Sequence, residues 1–278
     1  MLQRRHLLLG AGALRAQPAT LHTSEEWDKP FLYPLRTVSG RNLARRYPVE
    51  PSTGENTDHA WHRGLWWGHG IINGHDFWRE LGRDKTSRLV RTPEKDRFAM
   101  VTPAGERIGT NLQRYTVKDD GAFRYIDALI QVIPGPERAL TFGDTDDGGF
   151  AFRLNDAFRE DRGARLMNAD GLEGTKNIWG QSARWVDYSA AIDGTRAGVA
   201  VFDHPANLRH PTQWHARGYS LCAANPFGSR SFSKNRGPDG VYVLKPGQVL
   251  TFNYRVVIHE GPCEANRIEE LYRHWSRG

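Results

Sequence analysis

Short runs rich in Val, Ile, Tyr, Phe and Trp recur between clusters of Gly, Pro, Asp and Asn, over 97–102, 111–117, 123–133, 150–154, 183–192, 197–202 and 249–259. Brief apolar runs punctuated by turn residues predict many short strands, and hence an all-β fold. The clearest alternation is Leu250, Phe252, Tyr254, Val256 and Ile258, which fall on one face at period two. Before it stand Val241 to Leu244 and the turn residues Lys245-Pro246-Gly247-Gln248, so the pattern predicts a hairpin whose second strand lines a core. The run from Phe123 to Ile133 is apolar on both faces in places, as an inner strand of packed sheets requires. Near the end Ile268, Leu271, Tyr272 and Trp275 recur at helical spacing, predicting one C-terminal helix docked on a large β-sandwich. The Gly- and Asp-rich stretches 135–148 and 159–176 are expected to be long surface loops, and no repeat or composition shift marks a boundary within 17–278.

Hydrophobic residues make up 38% of the 278 positions and charged residues 25%, a balance that supports a packed core. At the start, Arg4-Arg5 precede the apolar run Leu7 to Leu14 and then Arg15-Ala16-Gln17, the layout of a twin-arginine-like signal peptide over residues 1–16. The expected location is therefore periplasmic or secreted. No stretch reaches the roughly 18 apolar residues that a spanning helix needs, and the mean hydropathy is −0.63. The formal charge of +6 drops by three once Arg4, Arg5 and Arg15 are removed. With acids and bases mixed along the chain, nucleic acid is not an expected partner. The two cysteines, Cys222 and Cys263, allow at most one disulfide.

Seven of the eleven histidines fall in two segments. The first runs from Asp58-His59-Ala60-Trp61-His62-Arg63 through Trp66-Trp67-Gly68-His69 to Asn73-Gly74-His75-Asp76-Phe77-Trp78; the second from Asp203-His204 through Asn207, Arg209, His210, Trp214, His215 and Arg217 to Asn225. Imidazole exchanges protons near neutrality, Arg and Asn hold oxygens in fixed geometry, and Trp faces stack on the apolar faces of sugar rings. A polyol site needs all three. The competing expectation is that the rings of Trp61, Trp66, Trp67 and Trp78 are core and the histidines are ordinary loop residues. His59-x-x-His62 with His69 and His204 also has a ligand-like spacing, so a divalent metal is an alternative, although residues three apart on a strand point to opposite faces. No nucleophile elbow is present. Arg184 and Asp187 are close enough in sequence to pair.

The segments Lys29 to Arg36, His62-Arg63-Gly64-Leu65-Trp66-Trp67 with Asn73-Gly74 and Asp76-Phe77-Trp78, Trp179-Gly180 with Ala183 to Ser189, and Phe202-Asp203-His204-Pro205 through Asn225-Pro226-Phe227-Gly228 resemble an uncharacterised bacterial family often labelled "PmoA, methane oxygenase". The resemblance covers nearly the whole chain beyond residue 16. Where that family has a His-His pair before Arg-Gly, this chain has Trp61-His62. A membrane-spanning methane oxygenase subunit does not fit a chain of this hydropathy. The resemblance instead implies an exported protein of a sugar-degrading cell, with an architecture similar to the galactose mutarotase-like supersandwich.

The expected function is thus acid–base chemistry on a sugar or glycoside by isomerisation, elimination or hydrolysis, with a non-catalytic glycan-binding module as the alternative. His69 and His215 are the expected proton-transfer pair, with Asp76 as base or orienting group. Arg63, Arg209 and Arg217 are expected to hold substrate oxygens, and His62, Trp67, Asn73, Trp78, His204, Asn207, His210, Trp214 and Asn225 to complete the binding surface. No cofactor is expected. Glycosidase-type paired carboxylates are not identifiable, which places hydrolysis below the other two.

Overall fold

In a computed structural model of the chain, residues 19–82 and 84–278 are described; the signal segment 1–16 lies outside them. Two antiparallel sheets pack face to face. The first has six strands in the spatial order β1 (Thr20–His22), β2 (Phe31–Tyr33), β3 (Leu65–His69), β9 (Gly148–Arg153), β14 (Leu221–Asn225) and β13 (Gln213–Arg217). The second has eight: β10 (Arg165–Asn168), β11 (Trp185–Ile192), β12 (Thr195–Asp203), β16 (Leu250–Glu260), β7 (Phe123–Pro134), β6 (Arg107–Asp120), β5 (Arg97–Val101) and β4 (Arg88–Arg91). A two-stranded ribbon pairs β8 (Leu140–Phe142) with β15 (Tyr242–Leu244).

Between the two large sheets lies one continuous apolar cluster that draws on residues from Phe31 to Ile258. The alternation along β16 is realised as expected: Phe252, Tyr254, Val256 and Ile258 point into this cluster, and Phe150 of the facing sheet stacks on Tyr254 at 4.7 Å. The other face of the eight-stranded sheet carries a smaller cluster. There Trp185, Phe202 and Val257 receive Ile268 and Tyr272 of the C-terminal helix Ala265–Trp275. The long β7 is an inner strand, between β6 and β16.

Three local expectations are corrected. The turn at Lys245–Gln248 forms, but β15 does not pair with β16, because both edges of β16 are already occupied by β12 and β7. The stretches 135–148 and 159–176 each hold a strand, β8 and β10 respectively. Arg184 reaches Glu269 at 3.2 Å and Asp187 reaches His259 at 2.9 Å, so the two do not pair with each other. Among the described residues no helix is long and apolar enough to cross a membrane.

Candidate functional site

Residues directly opposite each other on antiparallel strands share a face. In the six-stranded sheet Trp66, Ala151, Ala223 and His215 form one such row, and Trp67, Phe150, Ala224 and Trp214 form the next. The second row faces the sandwich interior, because Phe150 stacks on Tyr254. The first row therefore faces outward, away from the eight-stranded sheet. His69 shares the parity of Trp67 and points inward; His215 points outward. The expected His69–His215 pair is thus divided by the sheet itself.

The His69 ring is fully buried beside Phe142 and Phe227, and its Nε2–H donates to the Gly143 carbonyl at 2.8 Å. Burial pushes its pKa down to about 4, so it is a neutral core group. Trp67 and Trp214 are likewise interior, with Trp214 donating to the Ala183 carbonyl.

Other expected site residues brace loops. Asp76 accepts the backbone N–H groups of Trp78 and Arg79. Asn73, with a left-handed φ of 53°, ties its turn to β8 through Ala139 and Thr141, beside a shallow cavity of about 450 Å³. Arg63 is buried between Glu80, which it grips with two donors, and the Trp27 ring at 4.4 Å. At the end of β12, Asp203 holds Asn207 and His210 (2.7 and 2.8 Å), while His204 leans edge-on against Trp275. Arg209 donates to the carbonyls of Pro226, Gly240 and Val241. Among the described residues, no hydrogen bond or ring contact joins the His204, Asn207, Arg209 and His210 group to the outward row.

What the outward face does gather is a second arrangement. His215 donates from Nδ1 to the Asp146 carbonyl at 2.6 Å and accepts at Nε2 from Arg217 at 2.7 Å, which sets its tautomer. Burial and then the Arg217 charge hold its pKa below the usual imidazole range. Asn225 steadies the same loop by donating to the carbonyls of Thr145 and Asp146. Arg217 is half-exposed, pairs with Asp146 at 3.2 Å and lies over the Trp179 ring.

On the other side His62 is stacked between Trp66 (5.3 Å, 15°) and His59 (5.0 Å, 5°), with Trp78 at its edge. His59 continues the column onto Tyr219 at 6.0 Å and 2°. His59 and His62 converge because 59–62 is a turn, closed by His62 N–H on the His59 carbonyl. Their stacked rings do not converge on a common ligand point. His69 lies on the opposite face and does not join them. Among the described residues no group of three or more His, Cys, Asp or Glu side chains gathers as metal ligands would.

Tyr219, in the turn between β13 and β14, joins the two sides. Arg153 lies under its ring at 4.6 Å, and Arg153, Leu221 and Arg217 form one cross-strand row. Burial pushes the Tyr219 phenol up while Arg217 and Arg153 pull it down. Asp58 receives Arg45 and Arg153, both at 2.9 Å, and faces His59 at 3.3 Å. Trp66 and His215 stand three strand spacings apart, roughly 14 Å.

Of the expected residues, the outward face thus assembles His62, His215 and Arg217, with Trp78 and Asn225 in support. It adds Asp58 and His59, which open the first segment but were given no role in sugar chemistry, and Asp146, Arg153, Trp179 and Tyr219, which were not expected. Arg153 was legible in principle, as a lone cation ending the apolar run 150–152. Tyr219 and Asp146 carry no local signal.

The model of a family of unknown function, DUF6807, matches residues 14–273. The chain belongs to that family. This agrees with the resemblance to an uncharacterised family, while the methane-oxygenase label is not part of the match. No curated protein matches this member of the family. A polysaccharide lyase of solved structure is similar over 93% of this chain at 15% identity and a TM-score of 0.34; the chain spans 34% of that protein's length.

Proposed function

We propose that the chain is a carbohydrate-active protein that performs acid–base chemistry on a sugar at the outward face of the six-stranded sheet. One observation carries this: the half-exposed rings of Trp61, edge-on to His59 at 5.2 Å, of Tyr219, stacked on His59, and of Trp179, under Arg217, adjoin two solvent-reachable polar pairs, His59–Asp58 and Arg217–Asp146. Flat aromatic faces suit the apolar sides of a sugar ring, and the pairs supply proton transfer and oxygen-binding donors. His59 replaces His69 in the proton-transfer role, because its ring is 42% exposed and has a carboxylate beside it. The fixed His215 tautomer presents Nε2 as a base only when Arg217 swings toward substrate.

The test is a panel of sugars, glycosides and uronides incubated with the protein and followed by NMR, with His59→Ala and Arg217→Ala alongside. Turnover that falls about 10²–10⁴-fold in His59→Ala, with a smaller change in KM, is the expected result. Binding without turnover by the wild type would assign the same face to a glycan-binding module. No binding and no turnover across the panel would overturn the sugar reading.

A further inference from the structure

Under the stacked rings of His59 and Tyr219 lies a group of donors with too few acceptors. Arg153 is fully buried, and among the described residues only its Nη2 is engaged in a hydrogen bond, with Asp58; Nε and Nη1 have no partner there. Arg45, also fully buried, spends its Nη1 and Nη2 donors on Asp58 and on the carbonyls of Asn56, Asp58, His59 and His62, leaving Nε unpartnered. The His62 ring is 2% exposed, and neither of its nitrogens is hydrogen-bonded among the described residues. Nearby Asp156 takes Arg162 at 3.4 Å and the Asn56 N–H at 3.0 Å, both on Oδ2; its buried Oδ1 is bonded to neither guanidinium. Asp58 is therefore the one carboxylate shared by both guanidiniums. Leaving buried donors of charged groups unsatisfied costs several times what leaving neutral ones does, so the arrangement calls for an acceptor that carries negative charge.

The cover over these donors consists of two side chains from turns, outside the sheet. His59 and Tyr219 belong to turns, and no backbone ladder holds either ring. His59 sits at a φ of +43°, a left-handed conformation that costs a non-glycine residue about 1–2 kcal/mol.

We infer that Arg153 and His62, roofed by His59 and Tyr219, form a subsite for the carboxylate of an acidic sugar. This rests on the sugar-binding reading of the same face. The Arg153 donors take the carboxylate oxygens, a neutral His62 gives its one N–H, and the Trp61 and Tyr219 rings flank the sugar body. Burial and the Arg153 charge hold the His62 pKa well below the usual imidazole range, which suits a donor that adds no second charge.

Calorimetric titration of the wild-type protein with the methyl glycosides of glucose, galactose and mannose, their uronide counterparts and the corresponding 6-phosphates tests this. At least one uronide should bind about 10-fold or more tightly than its neutral parent, the scale of one charge-assisted hydrogen bond. Arg153→Met should erase that preference, bringing the uronide and its neutral parent to within about 2-fold of each other. Arg153→Lys, which keeps the buried stem and the charge, should reduce the preference even if the Met variant does not fold. Equal affinity for uronide and neutral sugar in the wild type would overturn this inference alone, and tighter binding of a 6-phosphate would reassign the subsite to phosphate. If no sugar of any class binds, the sugar reading fails and takes the inference with it.

Discussion

A Cβ on Gly148 would stand 2.1 Å from His69 Nδ1, which shows how closely the ring is enclosed. With its folded pKa near 4 against 6.5 in the open chain, the unfolded state binds a proton that the folded state refuses. The stabilisation is complete above about pH 6.5 and is lost as pH falls towards 4. For a fully buried group this is on the order of 3 kcal/mol. His62 and His215 shift in the same direction and add to the slope. Calorimetric melts across this window should show Tm falling with pH, and His69→Gln should flatten the fall; an unchanged slope would refute the enclosed ring. Which of the clustered histidines titrates with solvent was not readable from spacing. His69 and His215 lie in equally mixed segments, and a one-residue change of parity decides between interior and outward face.

The C-terminal helix shows what periodicity settles well. Its apolar stripe is realised as Ile268 and Tyr272 against Trp185, Phe202 and Val257, and Glu269 accepts the Trp185 indole N–H at 2.8 Å. Truncating Tyr272 to Ala should cost about 3–5 kcal/mol in denaturant unfolding; a loss under about 1 kcal/mol would mean the helix is not docked in solution. Strands were legible where apolar alternation is long, as in β7 and β16. They were missed where His, Trp and Gly interrupt it, in β3, β13 and β14, which are the strands that build the candidate site. Pairing was the weaker inference. A turn between two apolar runs implies a hairpin only if the second run has a free edge, and the edges of β16 are taken by strands about 50 and 120 residues upstream.

Across the whole molecule the two cysteines lie in different layers. Cys222 is in the cluster between the sheets, and Cys263 packs with the cluster beyond the eight-stranded sheet. Both are free thiols; burial pushes Cys222 well above the usual thiol range and Cys263 up to about 12. Thiol titration of the unreduced protein should find two groups after denaturation and almost none in the folded state; a single bridge would contradict this layering. If the signal segment is processed as proposed, N-terminal sequencing of periplasmic protein should begin near Gln17, and an intact Met1 would refute export. The sequence by itself determined the β-rich class, the strand that lines the core and the docked helix, because period-two and period-3.6 apolar patterns are local consequences of which face is buried. It also marked the polar and aromatic residues from which a site could be drawn. Only the tertiary structure decided which of them meet. Arg153, Tyr219 and His59 come from segments up to 160 residues apart, and their convergence depends on strand order and register, which long-range packing sets and no local pattern records.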